Sequence, residues 1–150
     1  MLGGRVEGYW DFELEGFTDN WKGQNGQVTV GRNGTMILTP SGDDNAVYRS
    51  VSFKADTYTK LIVGVKYFKG LEKNQTPFFY FSKDANGAWS GDNGIRGEYV
   101  IPADVQVGDT VYVTFDLTSN SNWTGNITAI RIDAISGMYT HEFDSIELTK

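Results

Sequence analysis

Cysteine is absent from this 150-residue sequence, which excludes disulfides and thiolate metal sites and leaves the redox compartment open. Histidine occurs once, as His141. A histidine-based catalytic triad or a multi-histidine zinc centre is therefore not expected, and any hydrolytic chemistry has to rest on carboxylates. Basic residues are in the minority: 13 Lys and Arg against 19 Asp and Glu leave a formal charge of −6. That balance repels a phosphate backbone and removes nucleic acid from the expected partners. No apolar run approaches the roughly 20 residues that a membrane-spanning helix requires, so no membrane insertion is expected. The opening MLGGRVEG also lacks the charged-then-apolar profile of a signal peptide. The expectation is either an intracellular or virion protein, or a domain cut from a longer secreted chain, with Met1-Leu2-Gly3-Gly4 suiting an expression boundary.

What is abundant is the chemistry of turns and strands. There are 18 Gly and only 3 Pro, and 14% of residues are aromatic, a mixture that suits many short strands joined by tight turns, hence an all-β fold. One domain over 1–150 is large enough to bury roughly 70% of its unfolded surface without a covalent staple. Tyr9 to Glu15 alternates, with Trp10, Phe12 and Leu14 expected inside and Asp11, Glu13 and Glu15 outside. Asn33-Gly34 marks a turn, and SGDDNA at 41–46 a polar loop. Val47 to Phe53 resumes alternation, with Val47, Val51 and Phe53 inward. Leu61 to Phe68, apolar on both sides at its start, reads as a central strand. Pro77 to Ser82 is a strand carrying Phe78, Phe79, Tyr80 and Phe81, and the loop after it, KDANGAWSGDNG, holds Trp89 among small polar residues. Ile95 to Ile101 and Val111 to Leu117 are further strands. Ile127 to Asp133 sets Ile130 and Ile132 inward and Arg131 and Asp133 outward. In the closing run Phe143, Ile146 and Leu148 are out of step by one residue, which places a β-bulge at Asp144-Ser145 that re-aims Asp144. About ten strands, with no persuasive helix, repeat or linker, suit a sandwich of two antiparallel sheets.

Four stretches carry a family resemblance. WDFE at Trp10 to Glu13, the spacing of Gly16, Phe17 and Trp21, the run FDLTSNSNWTGNITAIRIDAISG, and the closing FDSIEL together resemble the galactose-binding-domain-like β-jelly roll, a family that includes many carbohydrate-binding modules. The resemblance implies a β-sandwich jelly roll and a structural Ca²⁺ near the chain ends. Its ligands would be the carboxylates of Glu13 and Asp144, the main-chain oxygen of Asp11, a carboxylate of Asp43 or Asp44, and the carbonyl of Ala46. Hard oxygen donors of this kind are what Ca²⁺ takes. The implied activity is non-catalytic glycan recognition, with a polysaccharide or cell-surface glycan as partner, in a larger extracellular or virion-surface protein or assembly.

Sugar recognition sets aromatic faces against pyranose rings and uses a few polar groups to read hydroxyl orientation. The candidates are Trp89 in its loop, Tyr80 and Tyr99 on nearby strands, and Arg131 with Lys66 as polar partners, whereas Trp10, Trp21 and Trp123 suit the core. Two other readings compete. Glu142, Asp144 and Glu147 spell E-x-D-x-x-E, which resembles the catalytic strand of laminarinase-type jelly-roll glycosidases with Glu142 and Glu147 as the working pair. Its position in the final strand leaves no downstream sequence to build a cleft wall. A structural, adhesion or virion-decoration domain is the third. The sequons at Asn33, Asn74, Asn122 and Asn126 carry weight only in a glycosylating host. A bound calcium predicts that chelation lowers the melting temperature by several degrees, since a ligand held only by the folded state stabilises it. Melting curves indifferent to chelator and to added calcium would remove the metal.

Overall fold

Period-two alternation forces each strand to bury one face, and the chain meets that demand by packing two antiparallel sheets against each other. The computed structural model describes residues 8–71 and 75–150; the opening Met1 to Gly4 and the sequon at Asn74 lie outside the described residues. Twelve strands occur in order: β1 (Tyr9–Trp10), β2 (Lys22–Gln24), β3 (Gly26–Val30), β4 (Met36–Pro40), β5 (Ala46–Lys54), β6 (Lys60–Lys66), β7 (Phe78–Ser82), β8 (Gly94–Arg96), β9 (Glu98–Val100), β10 (Thr110–Asp116), β11 (Asn126–Asp133) and β12 (His141–Thr149). The larger sheet runs β3-β4-β12-β6-β10-β9 with β1 added beside β12, and the smaller runs β2-β5-β11-β7-β8. Helical structure among the described residues is limited to three 3-10 turns. The expected sandwich jelly roll is the architecture observed.

The core lies between the sheets. Leu61, Val63 and Val65 of β6, Val111, Val113 and Phe115 of β10, and Phe143, Ile146 and Leu148 of β12 face Phe79, Phe81, Ile130 and Ile132 of the smaller sheet, all buried. Trp123 meets Phe81 edge-on at 5.0 Å and Phe79 at 6.1 Å; Trp10 and Trp21 form a second edge-to-face pair at 5.3 Å. All three tryptophans are thus core residues, as their sequence positions indicated. β6 is a central strand, and the register of β12 against β6 slips between Phe143 and Ser145, which is the bulge expected at Asp144. The chain ends meet where Tyr9 pairs with Glu147 and Trp10 with Ile146.

Two expectations are corrected. The run from Tyr9 to Glu15 leaves the sheet after Trp10: the Asp11 Oδ1 accepts from the Glu13 amide at 3.3 Å, Phe12 takes a φ of 56°, and Leu14 is exposed. Trp10 and Phe12 stay buried, so burial outlasts the ladder, but the three carboxylates do not share a strand face. Ile95 to Ile101 is two strands, β8 in the smaller sheet and β9 in the larger, with the crossing at Gly97. A side chain there would begin 2.7 Å from both Phe115 and Val113, so only glycine lets the backbone cross this close to the core.

Gly97→Val is expected to destabilise the domain by about 2 kcal/mol through overpacking, read as a lower urea midpoint. The single imidazole gives a second test. His141 is buried, its Nδ1 lies 2.6 Å from the Tyr139 carbonyl oxygen, and burial holds its pKa below the ordinary value despite the opposing pull of the Tyr139 and Ile135 carbonyls. Below about pH 6.5 the unfolded chain takes up a proton that the fold resists, so stability declines as pH falls through that value. The urea midpoint of His141→Phe is expected to fall less between pH 7 and pH 5 than that of the parent, and equal falls would contradict this account.

Candidate functional site

The outer face of the smaller sheet gathers the candidate residues, and β11 is its middle strand. Because Ile130 and Ile132 point into the core, Arg131 and Asp133 must point out. Register then aligns two rows across the sheet. Lys22, Tyr48, Arg131, Tyr80 and Gly94 are cross-strand partners in one row. Asp133 sits beside Phe78, and Phe78 beside Arg96, in the next.

Aromatic groups lie on both sides of Arg131. On β7, Phe78 and Tyr80 stack with ring centres 5.8 Å apart and planes 16° apart. Tyr80 leans over Gly94, where a Cβ would sit 2.8 Å from its ring; the glycine gives the ring its place. On β5, Tyr48 meets Trp89 edge-on at 6.4 Å. Trp89 arrives from the loop after β7, which passes over β11: a side chain on Gly87 would touch Ala129. Hydrogen bonds fix both ends of that loop. Thr128 Oγ1 donates within reach of the Ser82 and Asp84 carbonyls at 3.2 and 2.6 Å, and the Asn120 amide donates to the carbonyls of Asp92 and Gly94, both at 3.0 Å. Trp89, Tyr48, Tyr80 and Phe78 are all half-buried, so each is held in place while part of it stays exposed.

A polar network fills the centre. Arg131 Nε and Nη2 donate to the two oxygens of Asp133 at 2.6 and 2.7 Å, Nη2 also to Asp44 Oδ1 at 3.0 Å, and Nη1 to Gln24 Oε1 at 3.1 Å. The guanidinium also lies 5.4 Å from the centre of the Tyr80 ring, a cation–π distance. Burial alone would lower the Arg131 pKa, and its hydrogen bond and charge pairing with Asp133 more than reverse that. Burial pushes the Asp133 carboxyl up, and Arg131 only partly restores it. Burial also raises the Tyr80 phenol, with Asp133 and Asp44 adding to it and Arg131 opposing. The result is a fixed set of donors and acceptors flanked by aromatic faces, which can order hydroxyl groups while stacking on an apolar ring surface.

Solved structures carry the same architecture. A xylan-binding module, CBM86, from Roseburia intestinalis superposes with a TM-score of 0.50 at 13% identity, over 90% of this chain and 91% of that one. The family 11 carbohydrate-binding module of the cellulosomal cellulase Lic26A-Cel5E of Clostridium thermocellum gives 0.50 at 17% identity, over 91% and 92%. The fold is that of β-sandwich carbohydrate-binding modules. No family model and no curated protein matches the chain.

On this module fold the expected site residues divide. Trp89, Tyr80 and Arg131 come together as described. Tyr99 does not: it is buried, its hydroxyl donates to the Ala134 carbonyl at 2.9 Å, and burial alone drives its pKa far above the phenol range. Its inward position was legible, since Tyr99 shares the parity of Ile95 and Ile101; which sheet it joins was not. Lys66 is on β6 of the larger sheet, where Nζ donates to Thr110 Oγ1 at 3.0 Å and pairs with Asp144 at 3.7 Å, so it cannot join Arg131. Tyr48, Phe78 and Gln24 were missed. Tyr48 and Phe78 did carry a signal, since each has the opposite parity to a core neighbour, Val47 and Phe79.

The residues expected to hold calcium do not form one set. Asp44 pairs with Arg131 on the outer face of the smaller sheet; Asp43 is exposed in the adjoining loop and Ala46 is buried at the start of β5. Asp144 pairs with Lys66 on the larger sheet, and Asp11 lies in the turn after β1, where its Oδ1 accepts from the Glu13 amide. The Glu13 carboxylate rests against Gly34, 2.9 Å from where a Cβ would sit. Among the described residues no three His, Cys, Asp or Glu side chains gather as metal ligands. These six residues therefore do not fit a single ion, which needs its oxygens around one point.

An open depression of about 620 Å³ lies between residues 54–59 and 118–125. Its two aromatic residues, Tyr58 and Trp123, are 9% and 7% exposed, and the Trp123 indole donates to the Tyr58 carbonyl at 3.0 Å. Neither offers a ring face. Arg131→Ala, which strands the partly buried Asp133 carboxylate, is expected to cost about 2 kcal/mol, measured by chemical denaturation.

Proposed function

We propose that the chain is a non-catalytic carbohydrate-binding module whose ligand is a polysaccharide lying across the outer face of the smaller sheet. The observation that carries this reading is the placement of Trp89. A hydrogen-bonded loop holds this half-buried indole edge-on to Tyr48, on the same face as Tyr80, Phe78 and Arg131. Tyr48 and Tyr80 stand two strands apart, roughly 10 Å, a span that suits a chain of sugars rather than one ring. The solved modules of the same fold include one described as xylan-binding, which makes plant-type polysaccharides the first ligands to try. A module of this kind would act at an extracellular or virion surface as part of a larger protein.

The glycosidase reading loses support from the register of β12. Glu142, Asp144 and Glu147 are half-buried on the outer side of the larger sheet, where Thr35 Oγ1 donates to Glu142 at 3.4 Å and Lys66 pairs with Asp144. Five residues of extended strand, shortened by one for the bulge, separate the backbones of Glu142 and Glu147 by roughly 13 Å. Their carboxyls therefore reach the about 5 to 9.5 Å of a glycosidase pair only if both side chains lean toward each other, and Glu142 is already engaged by Thr35.

Isothermal titration with xylan, mannan and mixed-linkage β-glucan tests the reading. At least one is expected to bind, and Trp89→Ala and Tyr48→Ala are each expected to weaken that binding about tenfold, some 1.4 kcal/mol, with an unchanged circular dichroism spectrum. Undiminished affinity in both variants would move the site elsewhere.

A further inference from the structure

The guanidinium at the centre of the aromatic face has little left to offer a ligand. Of its five N–H donors, two go to Asp133, one to Asp44 and one to Gln24, while one face of the group packs on Tyr80. Its single positive charge is met by two carboxylates, which leaves the cluster net negative in a chain whose formal charge is already −6. The two carboxylates differ in kind. Asp133 is 23% exposed and Asp44 70%, so Asp133 belongs to the framework and Asp44 reaches in from the 41–46 loop. Gln24 Nε2 holds the second oxygen of Asp44 at 3.3 Å, and Asn25 Nδ2 donates to its carbonyl at 2.9 Å.

We infer that Asp44 is a specificity residue: by occupying Arg131 Nη2 it closes the one strong carboxylate receptor on this face and makes the site select neutral glycans over uronic-acid polymers. The inference rests on the glycan-binding reading above. A uronate carboxylate approaching Arg131 has to displace Asp44 and then lie beside Asp133, against like charge. A neutral sugar meets no such conflict, and its hydroxyls donate to the carboxylate oxygens of Asp44, which is placed as an acceptor rather than a competitor. Beside the aromatic rows stand Lys22 opposite Tyr48 and Arg96 opposite Phe78, and Lys54 opposite Asn126 lies at the far end of the sheet. All three are exposed, where water and salt screen them, so the occupied central cation decides the preference.

The test compares binding of neutral probes (xylan, mannan, mixed-linkage β-glucan) with acidic ones (polygalacturonate, alginate) by affinity electrophoresis and titration. The proteins are the parent, Asp44→Asn, Asp44→Ala, and Asp104→Asn, which removes an exposed carboxylate elsewhere. Melting curves establish that each variant folds. The parent is expected to bind at least one neutral polymer and to bind the acidic ones at least tenfold more weakly. Both Asp44 variants are expected to gain at least fivefold on polygalacturonate, a gain abolished by 0.5 M NaCl because it comes from a freed charge, with no such gain in Asp104→Asn. A parent that binds acidic and neutral polymers alike, Asp44 variants with no gain, or an equal gain in Asp104→Asn overturns the inference and leaves the glycan-binding reading in place. A parent that binds none of the polymers overturns both.

Discussion

The alternation of β11 is the constraint on which the rest depends. Ile130 and Ile132 enter the core with Phe79, Phe81 and Val47, and the same backbone geometry obliges Arg131 and Asp133 to leave it. A slip of one residue would exchange two buried isoleucines for a buried ion pair, so the hydrophobic core itself sets where the polar centre of the site stands. Neighbouring strands then bring Tyr48 and Tyr80 beside Arg131 through ordinary ladder pairing. The face is thereby built on the central strands of the smaller sheet.

Loops complete what the sheet begins. The segment after β7 brings Trp89 across β11 to Tyr48, and the 41–46 loop brings Asp44 to Arg131. Each is secured by hydrogen bonds to main-chain carbonyls, Asn120 on one side and Asn25 and Asn45 on the other. A scaffold that fixes the centre and tethered loops that furnish the rim is a division that lets ligand preference change without touching the core.

Much of the fold was legible because burial follows alternation: the parity of Val111, Val113 and Phe115, or of Ile130 and Ile132, identifies the inner face without further information. The bulge at Asp144 was legible for the same reason, since Phe143 and Ile146 are out of phase. What parity does not reveal is which sheet a strand joins. Ile95 to Ile101 alternates acceptably as one strand, yet it crosses between sheets at Gly97; Tyr99 keeps the parity of Ile95 and is buried with it, so alternation alone argues against a ligand contact there. Lys66 and Arg131 are both outward-facing cations, and only the topology shows that they belong to opposite sides. The WDFE stretch misled in another way: Trp10 is buried on β1 as alternation requires, but Phe12 is buried beyond the ladder, through a local turn at Asp11 and its own left-handed backbone. The calcium expectation drew Asp44 and Asp144 together, although Asp44 stands in the loop over the smaller sheet and Asp144 on a strand of the larger, each facing a cation.

The central claim is that glycan lies on the outer face of the smaller sheet. Amide and indole chemical-shift mapping, with a neutral oligosaccharide cut from whichever polymer binds, tests it most directly. Perturbations centred on the Trp89 indole, Tyr48, Tyr80, Gly94 and Arg131 are the result the account predicts. Perturbations centred instead on residues 54–59 and 118–125, or on Lys66, Tyr112 and Asp144 of the larger sheet, would contradict it.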